Sequence, residues 1–166
     1  DMQFWYLAGM RWLEINGDDH PDTSEFFRLL ARKVWLLRIG GADNVETERR
    51  HVILSNEIAE GRSLADMVEL KVSKRWLVKT RENLLSRTFF VKRYSRPVLR
   101  YLCDILGADP GEIDGDLVTI EHVLPKSPDP ESGWMKDFGP SHAISEYAHR
   151  IGNMAFLSFK DNQIVG

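Results

Sequence analysis

Glu121 and His122 stand side by side after a β-branched run, Asn153 follows Gly152, and Asn162 comes nine residues after Asn153. Hydrolysis of a phosphodiester needs residues of these types. A base with a pKa near neutrality must take a proton from water, and histidine supplies one. A hard divalent cation must offset charge on the phosphorane and on the departing oxygen, and it prefers the oxygens of a carboxylate and a carboxamide. The second ring nitrogen of the base needs an orienting partner. One residue meets each need: His122 as base, Glu121 and Asn162 as metal ligands, Asn153 as orienter. Each also has a plainer reading. His122 could be a strand-end histidine on a backbone carbonyl, Glu121 a solvated acid, Asn153 a turn residue and Asn162 a helix cap.

For these residues to share a site, Glu121-His122 must lie where a strand ends or bends, because neighbours on a regular strand face opposite ways. Residues 117–120, Leu-Val-Thr-Ile, read as that strand, with Pro125 just beyond it. Residues 125–140 carry four prolines and two glycines and read as an irregular loop, and Trp134 reads as the residue that plugs it. Ser141 caps a helix to about Arg150, and residues 154–159 form a second strand. A terminal helix would bring Asn162 to its first turn, where a phosphate is also favoured. Upstream the apolar period is helical. Helices are expected over 2–15, from Thr23 or Ser24 to Gly40-Gly41, over 45–60, in a short segment 64–70 capped by Ser63, over 74–87, and from Arg96-Pro97 to about Leu106. Asp43 reads as a loop residue. The expected architecture is therefore mainly α: a helical bundle over 1–107, then a small unit over 108–166 with two short antiparallel strands.

The composition, 43% hydrophobic and 28% charged over 166 residues, is that of a globular chain that can bury a core. No apolar run approaches the length of a membrane span and no signal peptide opens the chain. The single cysteine, Cys103, excludes an internal disulfide and a multi-thiolate zinc site, and reads as a buried thiol. A reducing, cytoplasmic setting fits. The net charge of −3 hides an asymmetry. From Lys71 to Arg100 there are ten cations, Arg93 and Arg96 among them, against the single acid Glu82. Such a local field can attract phosphate whatever the total charge, although a solvated helix face explains it equally well. Lys126 beside the site, His149, Arg150 and Lys160 are further candidate DNA contacts.

Ile120-Glu121-His122-Val123-Leu124-Pro125, the downstream Trp134, Arg150-Ile151-Gly152-Asn153-Met154 and Asn162 resemble the C-terminal nuclease domain of GmrSD-type restriction endonucleases, which belongs to the HNH, or His-Me finger, superfamily. The resemblance covers about residues 117–166. It implies a ββα-metal fold, one Mg2+ or Mn2+, and nicking or cleavage of DNA in phage defence. It implies His122 as base, Glu121 and Asn162 as ligands and Asn153 as a structural orienter. The preceding helices resemble the connector to an N-terminal nucleotide-dependent module, so the chain reads as a fragment whose site continues past residue 166. Two positions depart from the usual pattern: Glu121 stands where aspartate is common, and Met154 where leucine is. One site per chain makes nicking the elementary act, and a double-strand break then needs two events or two chains in a homo-oligomer. The competing readings are a non-catalytic DNA-binding or scaffolding module with a silent HNH unit, and an RNase built on the same residues. No feature of the chain reads a 2′-hydroxyl.

Overall fold

The computed structural model describes residues 3–86, 88–107, 118–139 and 141–158. Among these, seven α-helices and one two-stranded antiparallel sheet form two compact units, Asp1–Asn83 and Leu84–Gly166. The mainly helical class with two short antiparallel strands is therefore as the sequence implies. No described helix is long and apolar enough to cross a membrane.

In the first unit, α1 (Trp5–Asn16), α2 (Thr23–Gly40) and α3 (Asn44–Ala59) pack around Ala8, Trp12, Phe26, Leu30, Leu54 and Ile58, each at most 3% exposed. Burying each of the larger side chains contributes about 1.5–3 kcal/mol. The Trp12 and Phe26 rings stack at 4.3 Å, inclined by 8°. Gly17, at φ 81°, ends α1, a conformation that glycine adopts without strain. Two capping expectations change. Thr23 does not cap α2, because its hydroxyl accepts from Trp12 Nε1 (3.0 Å) and donates to the Gly17 carbonyl (3.1 Å). Asp43, read as a loop residue, caps α3 by accepting the Glu46 N–H at 2.7 Å.

Residues 64–70 do not form the α-helix expected there. They run as turns into a 3-10 turn at Val68–Leu70. A buried side chain explains this: the Glu57 carboxylate accepts the N–H groups of Val68 (3.0 Å) and Glu69 (3.1 Å), donors that an α-helix would have used. Lys33 donates to Glu69 at 2.5 Å and to the Glu69 carbonyl at 2.7 Å, and Arg50 bridges Glu69 and Glu46. Burial pulls the Lys33 ammonium below the usual lysine range, while Glu69 pulls the other way. Helix α4 (Lys74–Leu84) is tied to α2, with Thr80 Oγ1 donating to the Leu36 carbonyl at 3.1 Å and Asn83 Nδ2 to the Ile39 carbonyl at 2.6 Å.

The second unit holds α5 (Ser95–Ile105), strand β1 (Val118–His122), the short helices α6 (Gly133–Phe138) and α7 (Ser141–Tyr147), and strand β2 (Met154–Ser158). Among its described residues the buried hydrophobic ones are Phe89, Tyr94, Val98, Leu99, Val118, Leu124, Ile144, Ala148 and Met154. Helix α5 lies within this unit. Cys103 is half-buried. The loop over 125–140 is less irregular than its prolines suggest. It contains α6, on which Trp134 is 37% exposed and faces Phe138 at 5.8 Å, so Trp134 is no core plug.

Candidate active site

Strand β1 runs through the Glu121-His122 pair instead of stopping before it. The antiparallel register sets Glu121 opposite Ala155 and His122 opposite Met154. His122 is thus the last residue of the ladder, where backbone alternation ceases to bind the chain. A base and a neighbouring carboxylate can converge only at such a point.

The turn after β1 is fixed by Asn153. Its Oδ1 accepts the Leu124 N–H at 2.6 Å, and its Nδ2 donates to the Leu124 carbonyl at 3.0 Å and the Ala148 carbonyl at 2.8 Å. The Val123 N–H adds a bond to the Asn153 carbonyl at 3.0 Å. One carboxamide therefore joins the end of β1, the chain after α7 and the start of β2. It acts on His122 through the backbone, since these bonds engage main-chain groups and not the imidazole.

The partner of the His122 ring is a second histidine. His122 Nε2 lies 3.0 Å from His149 Nδ1, with the rings nearly perpendicular at 77° and centroids 5.0 Å apart. Phe90 packs on both, at 4.4 Å from His122 and 5.8 Å from His149, and its N–H donates to the His149 carbonyl. Lys126 Nζ sits 5.1 Å from the Phe90 centroid. Burial, then the Lys126 ammonium and the His149 ring, push His122 below the ordinary histidine range, against an opposing pull from Glu121. The shift favours the neutral imidazole, the form a base requires.

The other expected DNA contacts have the following places in the structure. Arg96 donates to the Val118 carbonyl and stacks its guanidinium 5.9 Å from the Phe156 centroid, supporting β1 and β2. Arg150 Nε donates to the Glu146 carbonyl at 2.9 Å and the guanidinium lies 4.7 Å from Tyr147. Arg93 and Lys126 are exposed. Lys160 and Asn162 lie outside the described residues, as does the helix expected to carry Asn162. Sequence reasoning gave His149 as a residue that could touch the site or DNA but did not pair it with His122, and it missed the role of Phe90 as their common wall. His149 sits four residues before Asn153, so the segment Asn153 anchors necessarily carries it, and that is the signal that could have found it. Nothing in the sequence marks Phe90.

Among the described residues no three His, Cys, Asp or Glu side chains gather as a metal cage. The donor set still suits a Mg2+-like ion, which takes one or two carboxylates, keeps several waters and shares substrate phosphates. Glu121, the chain neighbour of His122, could supply one such carboxylate.

No curated protein and no solved structure matches the chain. The family model described as GmrSD restriction endonucleases, C-terminal domain, matches residues 72–165, more than half of the sequence and all of the second unit's elements. The chain thus belongs to the family of GmrSD restriction endonuclease C-terminal domains.

Proposed function

We propose that the chain is a metal-dependent DNA endonuclease of a phage-defence restriction system, with His122 as general base. The observation that carries the reading is the state of the His122 ring: at the end of β1, half-buried, held at Nε2 by His149 and shifted toward its neutral form. In the tautomer where Nε2–H donates to His149 Nδ1, the lone pair on His122 Nδ1 is left to remove a proton from water. The hydroxide then attacks phosphorus in line with the departing 3′ oxygen. Glu121 and Asn162 would hold the divalent ion, Mg2+ or Mn2+, which offsets the charge of the phosphorane when bound. Asn153 holds the turn that presents His122, and His149 fixes the ring. Lys126, Arg93 and Lys160 would meet DNA phosphates. Each chain makes one nick, and paired nicks make a double-strand break. A nucleotide-dependent module N-terminal to these residues and a cytoplasmic setting complete the proposal.

The test is relaxation of supercoiled plasmid by the purified chain. Nicking should require added Mg2+ or Mn2+, stop with a chelator and fall at least about a hundredfold in Glu121→Ala, as expected when one ligand of a charge-stabilising ion is lost. Metal-independent nicking, or full activity of Glu121→Ala, would reject the reading. DNA binding with no nicking under any metal would favour a silent scaffold, and preference for RNA an RNase.

A further inference from the structure

The first unit carries a positive surface along α4, in which Glu82 is the single acid, that the proposed chemistry does not use. Lys71, Lys74, Arg75 and Arg81 are exposed and Lys79 is half-exposed, and among the described residues none of them forms an ion pair. Other cations of the same unit behave differently. Arg11, Arg28, Arg49 and Arg62 each meet a carboxylate within 3.2 Å. Arg75 and Lys79 stand at i and i+4 on α4, where like charges repel and cost a few tenths of a kcal/mol per pair.

The surface is also rigid. Trp76, 4% exposed, lies beneath it, with Arg75 5.1 Å and Lys79 5.3 Å from its ring centroid. The indole seats against α2 at Gly40, where a Cβ would come within 2.7 Å of Cε3, so only glycine admits it. Thr80 and Asn83 bond the same helix to α2. Beside it Arg50, Lys71, Ser73 and Trp76 line a notch, and Trp76 Nε1 is a buried donor with no protein partner. From Lys74 to Arg81 the row spans roughly 10 Å at 1.5 Å per residue. That covers about three phosphate steps of one DNA strand at 3.4 Å each. A row of this length fits a polyanion better than a single anion.

We propose that the α4 face of the first unit, through Arg75 and Lys79 with Lys71 just before the helix, binds the phosphate backbone of duplex DNA, independently of sequence. The proposal rests on DNA being the substrate, and the experiment separates the two. Binding of a labelled duplex by the whole chain is measured by anisotropy from about 50 to 200 mM salt, the range over which phosphate contacts dominate. Lys71→Gln/Arg75→Gln/Lys79→Gln keeps much of the stems over Trp76 and should bind at least about tenfold more weakly at low salt. Its slope of log affinity against log salt should be shallower by about 2.7, at 0.9 per phosphate contact. Lys71→Arg/Lys79→Arg, which keeps the charge, should bind like the parent. Arg11→Gln/Arg28→Gln, which removes two paired cations, should leave the slope unchanged. A parental slope in the triple variant overturns the proposal, and if plasmid nicking persists there the nuclease reading stands. Failure of the parent chain to bind DNA overturns both.

Discussion

In the first unit the charged groups that leave water do so in mutually bonded sets: Glu57 on the backbone of the 3-10 turn, Lys33 on Glu69, Arg50 across Glu69 and Glu46. In the second unit the polar side chains at the end of β1 stay half-buried, and the key one is bonded to another titratable ring. The first arrangement fixes a fold, because a buried charge without its partner is costly. The second leaves a half-buried imidazole in a defined orientation, with its neutral form favoured, as the proposed base would need. Substitutions that strip partners should therefore unfold one unit and disarm the other.

The largest effect is expected from Glu69→Gln, which leaves Lys33 buried beside a neutral amide. It should lower stability by about 3–5 kcal/mol in denaturant unfolding. The comparison sharpens with Lys33→Met/Glu69→Leu, which should recover most of that loss, since apolar replacement of a buried pair is often close to neutral. Recovery failing to appear would mean that the ions specify the turn at residues 68–70. Next comes Asn153→Ala, which leaves a backbone N–H and two carbonyls without their partner. A loss of about 2–3 kcal/mol is expected, together with loss of nicking, because the turn that presents His122 is released.

The strands, the helices up to α5 and the positions of Glu121, His122 and Asn153 were legible in the sequence, since β-branched runs, glycine stops and proline bends act locally. Residues 64–70 were not. Their conformation is dictated by Glu57, a side chain on a different helix, and no local pattern reports it. The His122–His149 contact was hidden for the same reason, because it depends on how β2 pairs with β1. Asp43 was legible in principle, as an aspartate three residues before Glu46 and at the head of an apolar period.

A smaller effect separates two roles for His149, DNA contact and support of the base. His149→Ala should reduce kcat about 10–100-fold, the usual loss when an orienting partner of a site histidine is removed, with little change in DNA affinity. A change confined to affinity would assign His149 to DNA instead. The smallest effect concerns pH. His51, 1% exposed, lies 2.7 Å through Nδ1 from the Thr47 carbonyl and is held below its ordinary 6.5 by burial first. The folded state thus disfavours its protonation. The stability this contributes is complete above about pH 6.5 and is lost as pH falls from there toward the lowered native value. The slope cannot exceed about 1.4 kcal/mol per pH unit for one proton. It should become shallower in His51→Leu, the remainder reflecting His122, which is lowered in the same direction, as followed by thermal unfolding across pH 5 to 7 (about the span in which histidine titrates).

The central claim is that one imidazole, presented at the end of β1, removes the proton that makes water a nucleophile. Single-turnover cleavage and equilibrium binding of the same DNA, measured side by side for the parent chain and His122→Ala with Mg2+ present, test it most directly. The account predicts cleavage reduced by at least about a thousandfold, beyond the 10²–10⁴ range's lower end for a lost general base, with affinity within about threefold of the parent. Cleavage at the parental rate by His122→Ala would contradict it.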